Sequence, residues 1–212
     1  NANNPPTPST PVTANIASNL ANQTITLVNV PLGSEFPRPL PLAISRENVT
    51  VSAADASGLT ISRSTANTSF SIDADGTIFR DISLVSLGGF SLSSDLTFDQ
   101  DRYDGEVSAA ITGSGGITKT GDRQLTLSGS NSYTGTTLLS AGTLVVTTDA
   151  IKNSNVDLDS GTTLVFSQNN NGVYDLQIKE VTGITGVANL LKQGTGAVTL
   201  DRPSVSANSW SG

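Results

Sequence analysis

The run Asp99-Gln100-Asp101-Arg102-Tyr103-Asp104-Gly105-Glu106 is the most chemically suggestive stretch of the chain. Its carboxylates, Asp99, Asp101, Asp104 and Glu106, invite two chemistries. Hard oxygen ligands gathered in one loop can hold calcium. A carboxylate pair can also cleave a glycosidic bond without any histidine, and Asp99, Asp101 and Arg102 would be the residues to carry that reaction. The spacing is not that of an EF-hand, whose ligands alternate ahead of a distant Glu. A second acidic turn, Asp73-Ala74-Asp75-Gly76, is shorter still. No recognisable active-site motif accompanies either turn. Both read as solvated acidic turns, and calcium is the one cofactor they could take.

Other chemistries are excluded by composition. The 212-residue chain has no His, Cys or Met, so thiolate and imidazole chemistry are absent. Its formal charge of -7 leaves no clustered Lys and Arg for phosphate, which argues against nucleic acid as a partner. No apolar run approaches a membrane-spanning length, and no signal peptide is recognisable; an exported protein would then be a mature piece of something larger. Lys119 and Lys192 are expected at coil corners, stem packed and ammonium in water. Tyr133 and Trp210 could stack on a sugar, but two rings make no platform and are expected to cover turns. Asn48-Val49-Thr50 and Asn67-Thr68-Ser69 fit the glycosylation sequon, as chance alone would produce in a chain so rich in Asn, Ser and Thr.

These residues have to be positioned by short strands. Charged residues make up only 14% of the chain, so solubility rests on Ser, Thr, Asn and Gly. The apolar residues alternate with polar ones in brief runs, as strands require. "TITLVNV", "VTVSA", "TIFRDISLVS", "LTFD", "LTL", "TLVV" and "TLVF" are examples. No segment keeps a 3.6-residue period over three turns. Residues 1–22, rich in Pro and Thr, read as an extended arm. Residues 23–212 read as one all-β solenoid, with no second domain and with a monomer expected.

The chain also repeats itself. "ITKTGDRQLTLSGSNSYTG" aligns with "LLKQGTGAVTLDRPSVSANSWSG". Lys119 and Gly121 match Lys192 and Gly194, and Leu125 and Leu127 fall opposite Val198 and Leu200. Asn131, Tyr133 and Gly135 match Asn208, Trp210 and Gly212. The first copy continues into "AGTLVV" with Gly142 and Leu144, whereas the second is truncated. Leu125 and Leu127 point one way from a strand and Thr126 the other, so stacked coils would build a dry apolar ladder. Glycines 113, 115, 116, 121, 129 and 135 are expected at bends with positive φ. Asn131 is expected in a left-handed turn position.

Residues 113–146, and more loosely 184–212, resemble the passenger-associated transport repeat, also called the autotransporter-associated β-strand repeat. Lys-x-Gly, Leu-Thr-Leu-Ser-Gly129, Asn-x-Tyr-x-Gly and Gly-Thr-Leu occur in its order. The resemblance implies a right-handed parallel β-helix, pectin-lyase-like, displayed on the exterior of a Gram-negative outer membrane or secreted. It implies export through an outer-membrane β-barrel translocator, with the repeat promoting secretion as a block that folds outside. The absence of Cys agrees with passage through a narrow pore. A non-enzymatic structural segment is therefore expected. An adhesin that binds host or cell-surface ligands is the alternative, and a β-helix enzyme acting on polysaccharide is the third reading.

Overall fold

The computed structural model describes residues 47–52, 59–63, 70–85, 90–180 and 187–201, together with the strands Val12–Asn15, Thr24–Leu27 and Leu42–Ile44. Every described element is a strand, and no helix occurs among the described residues. The strands stack into parallel sheets, and each circuit of the chain adds one strand to each of the first two walls. The result is a β-solenoid.

The first wall is an eight-stranded sheet of Val12–Asn15, Val49–Ser52, Thr77–Arg80, Leu96–Asp99, Ile117–Thr120, Thr137–Leu139, Val156–Leu158 and Ile178–Glu180. The second, also eight-stranded, holds Thr24–Leu27, Leu59–Arg63, Ile82–Leu84, Gly105–Val107, Gln124–Leu127, Thr143–Val146, Thr163–Ser167 and Asn189–Gln193. A third sheet stacks Leu42–Ile44, Phe70–Ile72, Phe90–Leu92 and Ile111–Gly113. Gly172–Tyr174 and Val198–Leu200 pair farther along. Between these the third wall continues without regular strand, since the amides of Ser132 and Thr134 donate to the carbonyls of Ile111 and Gly113 at 2.7 and 3.0 Å.

Alternation along each strand decides what lies inside. Leu96 and Phe98 are buried while Thr97 and Asp99 are half-buried, and the next coil repeats this with Ile117 and Lys119. Successive coils align without slip, Leu96 on Ile117, Ile117 on Thr137 and Thr137 on Val156. Leu125, Leu144 and Leu164 likewise form one column in the second wall, all fully buried. A one-residue slip would turn every one of these side chains to solvent. At about 1.5–3 kcal/mol per buried large aliphatic side chain, the ladder fixes the register. Phe79 and Phe98 add a tilted ring pair with centroids 6.1 Å apart.

Two sequence expectations need revision. The run Thr77 to Ser86 is not one strand: Asp81 adopts φ 56° and turns the chain from the first wall to the second. Within the arm expected over residues 1–22, Val12–Asn15 is a strand paired with Val49–Ser52, and the rest of that arm lies outside the described residues.

Candidate functional site

The repeat at residues 113–146 occupies one coil and the first two walls of the next, and its motif residues are interior. Lys119 stands within an inward-facing column, in register between Phe98 and Leu139. It is fully buried. Just beyond it Gly121 takes φ 75°, which turns the corner. The lysine Nζ donates to the carbonyls of Thr120 at 2.6 Å, Gly121 at 2.7 Å and Ala141 at 3.2 Å. Ala141 belongs to the following coil. The ammonium expected in water is thus inside, because the corner turns carbonyls toward it where water does not reach. Burial pulls the amine down to about 8, opposed by the charges of Asp99, Asp122 and Asp104. Three converging acceptors pull the other way: a neutral amine has two N–H groups, and only the ammonium has three.

Asn131, 2% exposed, bonds to the coil on each side. Its Oδ1 accepts from the amide of Ile111 at 2.9 Å, and its Nδ2 donates to the carbonyl of Ala150 at 2.9 Å. It is not among the residues with positive φ, so the expected left-handed turn is corrected. Asn was needed for its two-ended amide, not its backbone. Tyr133 is buried as expected of a packing residue. Its hydroxyl meets Thr137 Oγ1 at 2.6 Å, Thr137 meets Ser154 Oγ at 2.7 Å, and Ser154 donates to the Gly135 carbonyl at 2.6 Å. Burial pushes the phenol up to about 12.

The glycines divide into two kinds. Gly113, Gly121, Gly142 and Gly194 have positive φ, but Gly115, Gly116, Gly129 and Gly135 do not. These four are small because the neighbouring coil leaves no room. A Cβ on Gly129 would stand 2.2 Å from the Ala109 carbonyl oxygen, and one on Gly135 would stand 2.3 Å from the Gly116 nitrogen.

The second copy is rotated by one wall. Lys192 lies in the second sheet, where Lys119 lies in the first, and Val198–Leu200 falls on the third side of its coil. The local corner is nevertheless the same: Gly194 has φ 79°, and Lys192 Nζ donates to the carbonyls of Gln193 and Gly194 at 2.5 and 2.8 Å. Lys192 is exposed and Leu200 is 45% exposed. Asn208, Trp210 and Gly212 lie outside the described residues.

The acidic turn does not assemble into a ligand set. Asp99 pairs with Arg80 Nε at 2.7 Å and accepts from Thr120 Oγ1 at 3.1 Å. Asp104 accepts from the Gln124 amide at 3.0 Å, and Glu106 from Ser128 Oγ at 3.1 Å. Asp101 is exposed. Asp73 is engaged by Ser71 and Ser93 at 2.9 and 3.2 Å. Among the described residues no three acidic side chains converge on a position that could hold a metal ion. A shallow groove lined by Thr148, Asp149, Asn171, Gly172, Val173, Ala197 and Thr199 offers one carboxylate, so the two-carboxylate geometry is not built there. Asn48, in the first sequon, takes φ 56° in a turn, and Asn67 lies outside the described residues.

Asp81 was missed from the sequence. It is 3% exposed, and its Oδ1 accepts the amides of Asp101, Arg102 and Tyr103 at 2.9, 2.9 and 3.3 Å, gathering the next coil's turn. An Asp between two short apolar runs, tolerant of left-handed φ, was the available signal.

Residues 117–146 match the family model described as the passenger-associated-transport-repeat. The match spans Ile117–Thr120, Gln124–Leu127, Thr137–Leu139 and Thr143–Val146, and includes Lys119, Asn131 and Tyr133. No curated protein and no solved structure matches the chain. The repeat and the parallel solenoid together fit a β-helical segment of an autotransporter passenger.

Proposed function

We propose that this chain is a structural, non-enzymatic segment of an exported passenger, displayed outside the cell, whose coils fold as a block and promote passage of the polypeptide through an outer-membrane β-barrel. One observation carries the reading: the transport-repeat match at 117–146 falls on stacked coils whose motif residues are taken up by bonding and packing within and between coils. A residue set devoted to inter-coil contacts serves folding rather than chemistry. Each coil touches its neighbours alone, so a formed coil offers the next a ready surface.

Two substitutions on one strand test it. Leu127 is fully buried, and Asp there would set an unpaired carboxylate against Leu and Val ladders, at a cost of several kcal/mol (roughly the price of burying a charge without a partner). Thr126 points outward from the same strand, and Thr126→Asp should fold normally. In the full-length protein, at equal synthesis, the fraction of passenger on the cell surface should fall for Leu127→Asp and hold for Thr126→Asp. Equal surface fractions, with Leu127→Asp shown to be misfolded in vitro, would remove the export role.

A further inference from the structure

Side chains at the turns of this solenoid have a direction. Asp81, Asp95, Asp104, Asn155, Asn169 and Asn171 each accept a backbone amide from the coil that follows, not the one that precedes. Asn131 and Gln168 accept amides from the coil before. Where a side chain of another coil closes a turn amide, it therefore comes mostly from the N-terminal neighbour.

At the transport repeat this has a specific consequence. The amide of Gly116, at the entry to the repeat's first strand, is taken by Asp95 Oδ1 at 2.6 Å. The amide of Gln124, at the entry to its second, is taken by Asp104 Oδ1 at 3.0 Å. Both acids lie upstream of residue 117, where the family match begins. Steric fit gives the same answer independently. A Cβ on Gly115 would stand 2.2 Å from the Ser94 carbonyl oxygen, one on Gly121 2.2 Å from that of Gln100, and one on Gly129 2.2 Å from that of Ala109. Those glycines are shaped to the coil before the repeat. Gly135 and Gly142, by contrast, close against Gly115, Gly116, Gly121 and Arg123 within it.

We infer that the transport repeat is not self-contained: its upstream face is a docking surface for the coil running from about Leu92 to Gly113, and Asp95 and Asp104 are the clasps that hold it. The working unit is this coil plus the repeat. For folding, the inference stands on the structure; for export, it rests on the function proposed above.

Both aspartates are exposed, so removing them leaves the core intact. In the whole chain, Asp95→Ala with Asp104→Ala should speed hydrogen exchange of the amides over 116–127 by roughly fivefold to tenfold, the loss of one ordinary hydrogen bond each. Exchange over 96–107, the coil that carries the substitutions, should not change. Asp75→Ala with Asp101→Ala, which removes equal charge from exposed turns whose carboxylates hold no amide of the repeat, should leave both regions as they were. Unchanged exchange over 116–127 overturns the inference. So does equal acceleration on both coils, or the same effect from the control pair. In the full-length protein the clasp variant should also lower the surface fraction. Faster exchange with an undiminished surface fraction would leave the docking surface standing and remove the export role instead.

Discussion

A lysine set between Phe98 and Leu139 would ordinarily lose its proton or force its way to water, since desolvation penalises the charged form. Lys119 does neither because Gly121 and Ala141 bring carbonyls to it. Lys119→Met would keep most of the volume but take the Nζ donor from the Thr120, Gly121 and Ala141 carbonyls, of which Thr120 keeps the Gln100 amide at 3.0 Å. Equilibrium unfolding should show a loss of about 3 kcal/mol, the cost of stranding buried acceptors. The pH dependence has two parts of opposite sign. Lys119 is lowered from 10.5 to about 8, so its folded form binds fewer protons, and its penalty is present below pH 8 and relieved as pH rises toward 10.5. Tyr133 is raised from 10.0 to about 12, so its contribution is whole below pH 10 and is lost as pH rises through 12. The stability of the wild type relative to Lys119→Met should climb between pH 8 and 10.5. Relative to Tyr133→Phe it should fall above pH 10. A flat difference in either comparison contradicts the corresponding burial.

At the scale of the strand and turn, glycine is required for two separable reasons. Gly161 has φ 77° with nothing within 4 Å of its absent Cβ, whereas Gly129 has ordinary φ and no space. Gly161→Ala should cost about 1–2 kcal/mol, the left-handed penalty alone. Gly129→Ala has to push the Ala109 carbonyl away and break the stacking of two coils, so it should cost more and frays both. Thermal unfolding of the two variants checks the order. The strands themselves were legible: "LTL" and "TLVV" alternate with period two, and that period is the wall of the solenoid. The role of Gly129 was not, because the atom that forbids a side chain there belongs to Ala109, a full coil earlier. Asn131 and Lys119 escaped for the same reason. Their partners, Ile111, Ala150 and Ala141, become neighbours only when the coils stack, and no local pattern announces them. Asp81 split an apparent single run for a local reason that the sequence did carry.

Over the whole molecule, the parallel stack makes stability a sum of neighbouring contacts. Damage should stay near its source: Leu127→Asp should release exchange protection over the adjacent coils before the walls around Phe79 and Phe90. The recurrence of Lys-x-Gly at 119 and 192 was readable from sequence, but the turn of one wall between the copies was not, because coil lengths between them set the phase. Export, in this account, follows from the strength of the stacked block and not from any one motif residue. The direct measurement is the surface-displayed fraction of full-length passenger against unfolding free energy for Leu127→Ala, Leu144→Ala, Leu158→Ala and Thr126→Asp. Each Leu→Ala change in a packed core costs about 2–5 kcal/mol, which gives the series its spread. Surface fraction should fall in step with stability whichever column is cut. Surface fraction that ignores stability, or that falls only when the 117–146 motif is touched, would contradict it.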